Sequence, residues 1–114
     1  MATSVLGLGI SVFEYSGLPT SSPLDGTVQA AASYGPNASI TQVTTTNAKD
    51  LIFAVAVGDN NHPFTAGSGY TLRAAYGNWP IIGIEDQITS AAGSYSASFS
   101  NAVQNWAGLT AAFK

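Results

Sequence analysis

The sequence predicts an all-β protein, a β-sandwich of two antiparallel sheets with about eight strands in jelly-roll or Greek-key order. Apolar and polar residues alternate in short runs, as in strands that bury one face. Turn-forming residues separate these runs at intervals of about 8–12 residues, a spacing typical of sandwiches and barrels. The alanine run at Ala30–Ala32 favours helix by propensity, but three residues are too few to sustain one. Strand is therefore the expected regular structure.

Eight segments have the length and composition of strands. They are Gly9–Ser16, Val28–Ser33, Ser39–Thr46, Leu51–Gly58, Tyr70–Tyr76, Ile81–Thr89, Ser94–Ser100 and Trp106–Phe113. The connections between them contain Gly, Pro, Asn and Asp, which form turns because they either fix φ or tolerate positive values of it. We therefore expect each connection to be a turn or a surface loop.

Alternation along each predicted strand indicates which side chains face the core. In the last strand Leu109 and Phe113 occupy the expected core face, which places Trp106 outward or at a sheet edge. In the strand Ile81–Thr89 the same alternation assigns Ile82, Ile84 and Ile88 to the core face, which Asp86 interrupts. The segment Leu51–Val57 is apolar on both faces, so we expect it at the centre of a sheet.

Composition limits the classes of function. The 114 residues suit a single domain, residues 1–114, and only 8% of them are charged, against about 25% in ordinary domains. A net charge of −3 argues against nucleic acid, which clustered Lys and Arg bind. No apolar run approaches the roughly 20 residues of a membrane span. We expect a secreted, extracellular module, part of a larger multidomain protein, whose Met1 is a cloning start.

The residues that usually carry catalysis are sparse. The chain has no cysteine and a single histidine, His62, so thiolate nucleophiles and the common zinc sites are excluded. No Gly-x-Ser-x-Gly elbow is present. Glu14 and Glu85 are the candidates for a hydrolytic carboxylate pair, but acids in such modules more often cap turns. We therefore expect no enzymatic activity and no required cofactor.

A structural calcium ion is the metal that the sequence allows. Asp25, Asp50, Glu85 and Asp86 are hard oxygen donors, the class that calcium prefers. No EF-hand spacing is present, and the adjacent Glu85 and Asp86 in a strand face opposite ways. The alternative is that these acids are solvated or cap turns.

The two tryptophans are the most informative residues. Trp79 lies in a turn, and an exposed indole usually marks a contact site. Aromatic rings stack on the C–H faces of sugars, while amide side chains bond hydroxyl groups. A sugar site is predicted from Trp79 and Trp106 and from neighbouring polar and aromatic residues, namely Tyr34, Tyr76, Asn78, Gln104 and Asn105. The alternative is that Trp106 seals the end of the sandwich and Trp79 fills an adjacent loop.

Several phrases of the chain resemble a β-sandwich module that recurs in large secreted proteins of soil bacteria. They are Val12–Gly17, Pro23–Asp25, Asn47–Leu51, Phe64–Leu72, Glu85–Gln87 and Asn105–Phe113. Some such modules are appended to cellulases, which are endoglucanases, as carbohydrate-binding modules. The resemblance spans nearly the whole chain. Related modules also occur in bacterial cell-surface proteins, so a structural or adhesive repeat is the alternative function.

The resemblance implies a ligand and a partner. The ligand would be a plant cell-wall β-glucan, a cellulose-like or mixed-linkage polysaccharide, and the partner a tethered glycoside hydrolase domain. Because Trp106 lies inside a matching phrase, a structural role is open for it, whereas Trp79 lies outside those phrases. We expect a monomer that binds neither nucleic acid nor membrane.

Overall fold

A β-sandwich-like fold of two antiparallel sheets is present in the computed structural model, which describes residues 9–77 and 79–114. Seven strands are found in these residues, and no helix. They are β1 (Gln29–Ser39), β2 (Val43–Thr45), β3 (Leu51–Gly58), β4 (Thr71–Tyr76), β5 (Ile81–Ile88), β6 (Gly93–Tyr95) and β7 (Ser98–Phe113). The described residues thus contain no helix that could cross a membrane. The all-β prediction is confirmed.

The larger sheet has the order β1-β7-β3-β5-β4, and the smaller sheet pairs β2 with β6. Strand β3 is central, since it pairs along its whole length with both β5 and β7. Its apolar run, Leu51–Val57, serves both faces of the sheet, as predicted. Strands β1 and β4 form the two edges.

The main core lies on the face of the larger sheet that we call the inner face. Phe64 and Phe99 pack there with their ring centroids 5.5 Å apart, and both are almost fully buried. Ala54 and Ala56 of β3 lie beneath them. The small β3 side chains leave room for two large rings, so the core is filled mainly from the loop before β4 and from β7.

On β5 and β7 the prediction of which side chains face the core is wrong, because the inner face carries the residues that were expected to point outward. Gly108 is an inner-face position, where a Cβ atom would lie 2.6 Å from Ile40 Cδ1. Gly83 is another, where a Cβ atom would lie 2.7 Å from Phe64 Cβ. The neighbours Trp106 and Glu85 therefore face inward, while Leu109 is exposed on the outer face. Glycine at these positions admits a large side chain from the opposite layer, which apolar alternation alone does not reveal.

The predicted strand Gly9–Ser16 pairs with no sheet. Its residues run extended over the outer face, the opposite side of the larger sheet. Phe13 contacts Phe53 with ring centroids 5.8 Å apart, and the Tyr15 hydroxyl donates to Asp86 Oδ2 at 2.5 Å. This segment explains why seven strands are observed where about eight were predicted.

Candidate functional site

Trp79 occupies the turn between β4 and β5, as its neighbours Gly77 and Pro80 predict. Half of the residue is exposed, and Tyr76 at the end of β4 is exposed to the same extent, 51% against 50%. Both line one shallow depression of about 390 Å³, together with Ile82. The turn thus presents two aromatic side chains beside an open apolar floor.

Tyr34 and Asn105 form a second group on neighbouring strands. The two residues are register partners in the β1–β7 pair, and Tyr34 is 68% exposed. The Asn105 side-chain amide donates to Asp59 Oδ2 at 2.6 Å, and its backbone N–H donates to Asp59 Oδ1 at 3.0 Å. These bonds hold the amide at the rim of a depression of about 310 Å³ that Val57 also lines.

The two groups lie at the same end of the larger sheet. Gly58, the last residue of β3, pairs with Trp106 of β7 on one side and with Ile81 of β5 on the other. Asn105 and Pro80 are the next residues beyond this paired row, so both lie at the same end of the sheet. Tyr34 and Tyr76 stand on opposite edge strands, four inter-strand steps or about 19 Å apart. We call this strip, formed by Tyr34, Val57, Asn105, Tyr76 and Trp79, the strand-end surface.

Two predicted site residues are buried beneath this surface, although an edge of Trp106 lines the depression beside Asn105. Trp106 is 8% exposed and packs in the core cluster with Ile40 and Phe99, so its expected outward orientation is wrong. Gln104 is 3% exposed and accepts a hydrogen bond from the Asn60 backbone N–H at 3.2 Å. Both side chains close the end of the sandwich from inside. Asn78, the remaining predicted residue, lies outside the described residues.

No family model, curated protein or solved structure matches the chain. The resemblance to carbohydrate-binding modules therefore stays a prediction.

The four acids considered for calcium lie in three places. Asp25 and Asp50 are both buried at the start of β3, where Asp25 accepts bonds from the Thr46 backbone N–H at 2.5 Å and from its hydroxyl at 2.8 Å. These Thr46 bonds hold the pKa of Asp25 below its usual range, while burial and the neighbouring Asp25 raise the pKa of Asp50. Within residues 9–77 and 79–114, no three acidic or histidine side chains cluster as metal ligands would.

Glu85 and Asp86 face opposite sides of β5, as predicted. Asp86 lies on the outer face, where Arg73 Nε donates to it at 2.8 Å beside the Tyr15 bond. Burial and the bond to Asp86 raise the pKa of Tyr15 to about 12. The bonds among Tyr15, Asp86 and Arg73 anchor residues 9–15 to the sheet. They also hold the Asp86 carboxylate on the face opposite to Glu85.

Glu85 is a carboxyl group inside the core. It is 0% exposed, and its two oxygens accept backbone N–H bonds from Gly67 at 2.8 Å and Ser98 at 3.2 Å. Burial raises its pKa to about 7, because the two donors only partly replace the lost hydration. The side chain ties the loop before β4 to the start of β7, so we assign it a structural role.

An apolar trough on the outer face was missed by sequence reasoning. It has a volume of about 410 Å³ and is lined chiefly by Ala30, Ala32, Val55, Val57, Ala107 and Leu109. Leu109 is 50% exposed there. The alternation of apolar residues places Leu109 in the core, so it does not predict this surface. Gly108 is the residue that could have indicated it, because a glycine on the opposite face leaves room for a core side chain there.

Proposed function

We propose that this chain is a non-catalytic carbohydrate-binding module that holds a β-glucan chain against the strand-end surface. The observation that carries the proposal is the half-exposed Trp79 beside Tyr76, over an open depression of about 390 Å³. Indole and phenol rings combine a large apolar face with a polar edge, which suits the alternating C–H and hydroxyl surfaces of a sugar. Trp79 is accordingly the main stacking residue of the proposal.

The polar part of the strand-end surface supports the same ligand. The Asn105 side-chain amide is held by its bond to Asp59, so its carbonyl oxygen is positioned with little further loss of side-chain entropy, and Tyr34, its 68% exposed register partner, adds a third aromatic ring to the surface. The strip is about 19 Å long, which is enough for several sugar rings of an extended chain. An uncharged polysaccharide also suits a protein with three cationic residues in 114.

The absence of catalysis is part of the proposal. Hydrolysis of a glycosidic bond requires two carboxyl groups that flank it. On the described strand-end surface Asp59 is the neighbouring acid, and Asn105 bonds both of its oxygens. We propose that the module is secreted and that it keeps a tethered glycoside hydrolase domain near its polysaccharide.

Affinity electrophoresis on soluble β-glucans tests this proposal. We expect mixed-linkage β-glucan, xyloglucan or hydroxyethylcellulose in a native gel to retard the protein. Trp79→Ala should weaken the retardation at least about tenfold, or about 1.4 kcal/mol, because a central stacking ring is removed. The melting temperature should change little, since half of Trp79 is already exposed.

Ile88→Ala is the matched control. Ile88 is 63% exposed at the opposite end of β5, so its truncation removes a similar exposed apolar group without touching the strand-end surface. Equal retardation of the wild type and Trp79→Ala would contradict the role of Trp79 as a sugar-stacking residue. If no polysaccharide retards the protein, the proposed carbohydrate-binding function is contradicted.

A structural or adhesive module is the second candidate. The observation in its favour is the apolar trough, which stands next to the exposed side chains of Ile10 and Val12. Such a surface suits contact with another protein better than contact with a hydroxylated chain. The structural or adhesive function would be favoured if the protein bound no polysaccharide but associated with another protein through the outer face.

A further inference from the structure

The depression beside Trp79 is bounded on one side by the chain segment that precedes β1. Gly9 and Ile10 line this depression of about 390 Å³ together with the two aromatic side chains. A Cβ atom at Gly9 would collide with Ile82 Cδ1, so the backbone of the segment lies directly on β5 there. Residues 9–15 therefore reach the proposed sugar site and supply part of its boundary.

Ile10 forms a raised rim of this depression. The segment lies as a layer over Ile82, which lines the depression from the sheet. Ile10 points away from the sheet and is 85% exposed, whereas Trp79 and Tyr76 are about half exposed. The two aromatic side chains are thus recessed beside an aliphatic side chain that projects farther into solvent.

Contacts farther along the segment hold this rim in place. Phe13 packs against Phe53 with ring centroids 5.8 Å apart. The Tyr15 hydroxyl donates to Asp86 Oδ2 at 2.5 Å. A rim that is already positioned loses little further entropy when a ligand binds. Ile10 can therefore stabilise a ligand that fits between it and the aromatic rings.

The chemistry of the depression suits an uncharged sugar chain. The described side chains that line it carry no charge. Glu14, which also points outward on this segment, is four residues from Ile10, or about 13 Å along an extended chain. Because a sugar ring carries C–H groups on both faces, a chain can stack one face on Trp79 while Ile10 packs against C–H groups that the indole leaves uncovered.

The rim also distinguishes two physical forms of a β-glucan. A single chain is narrow and can enter the depression beside Ile10. The face of a crystal is flat and rigid, so it contacts only the atoms that project farthest. Ile10 would hold such a face away from the recessed rings, and close packing against them would be lost.

We propose that the site binds single β-glucan chains rather than the flat face of crystalline cellulose, and that Ile10 is the residue that makes this selection. The proposal rests on the proposed sugar binding and specifies the form of polysaccharide that the site takes. It also adds Ile10, from a segment outside both sheets, to the residues that contact the ligand.

The contact with Ile10 is tested by affinity electrophoresis on soluble mixed-linkage β-glucan. Ile10→Ala should weaken the retardation at least about threefold, because apolar contact with the sugar is removed. Val12→Ala is the matched control, since Val12 is 88% exposed on the same side of the same segment but does not line the depression. It should bind like the wild type. Both variants should melt at the wild-type temperature, because both side chains are largely exposed.

The selection between forms is tested by co-sedimentation of the whole chain with two celluloses of the same chemistry. Swollen, amorphous cellulose has separated chains, whereas microcrystalline cellulose presents flat faces. We expect the protein to sediment with the swollen form and to stay in solution with the microcrystalline form.

Two results would overturn this proposal and leave the sugar-binding function standing. One is equal binding to the two celluloses. The other is equal binding by Ile10→Ala and Val12→Ala while Trp79→Ala is weakened. Absence of binding to every polysaccharide is a different result, because it contradicts the proposed function itself and the selection with it.

Discussion

Replacing Phe64 with alanine is expected to lower the free energy of unfolding by about 3–5 kcal/mol, a large part of the stability of a small domain. Phe64 is 2% exposed, contacts Phe99 and lies against the backbone at Gly83. Because Gly83 has no side chain to move into the vacated space, the cavity stays open. Urea denaturation of both proteins at the same pH measures the difference.

Phe13→Ala is the control for that experiment. Phe13 contacts Phe53 on the outer face, with ring centroids 5.8 Å apart, and it belongs to a segment without sheet pairing. We expect a loss less than half as large. If Phe64→Ala does not fold, Phe64→Leu supplies a smaller and measurable loss. Equal losses at positions 13 and 64 would contradict the placement of the main core on the inner face.

Stability is expected to fall by about 2–3 kcal/mol between pH 5 and pH 8 because of Glu85. Burial raises its pKa from 4.5 to about 7, so the folded protein keeps a proton that the unfolded chain has already lost. The stabilisation is therefore complete below about pH 4.5 and is lost as the pH rises through about 7. Above that pH the loss levels off, since both states are ionised.

Glu85→Gln isolates this effect. The amide does not titrate, and its carbonyl oxygen can still accept one of the bonds from Gly67 and Ser98. We expect the variant to lose most of the decline between pH 5 and pH 8, even if its stability at pH 5 is lower. Thermal melts of both proteins across this range supply the comparison. An unchanged slope in Glu85→Gln would show that another group causes the decline.

Much of the fold was predictable because the residue pattern that favours a strand is a local property of the sequence. The bounds of β3 match the predicted segment Leu51–Gly58, and its position at the centre of a sheet followed from apolar residues on both faces. The strand at β5 was also predicted within one residue. Continuous β-branched and apolar residues between turn signals leave little alternative to a strand.

The faces of the strands were less predictable. Leu109 is exposed and Trp106 is buried, the reverse of the expected arrangement, because Gly108 admits Ile40 from the opposite layer. The position of a partner side chain is a long-range property that the strand's own pattern does not contain. Residues 9–16 illustrate the same limit, since alternation predicts an extended chain but not whether it joins a sheet.

The candidate site was predicted in part. Trp79, Tyr76, Tyr34 and Asn105 lie at one end of the sheet, because their turns and strand ends meet there. Trp106 and Gln104 are inside, and their burial depends on the face reversal of β7. The apolar trough on the outer face was not predicted, because Ala107 and Leu109, which line it, are expected on the core face.

A titration of the ¹⁵N-labelled protein with a soluble mixed-linkage β-glucan oligosaccharide tests the central claim most directly. The chain has two tryptophans and therefore two indole N–H signals, one from half-exposed Trp79 and one from buried Trp106. We predict that the Trp79 indole signal shifts progressively with added sugar, together with the Tyr76 amide, while the Trp106 signal serves as an internal reference and moves little. No shift of either indole, or shifts confined to residues away from the strand-end surface, would contradict the proposed binding site.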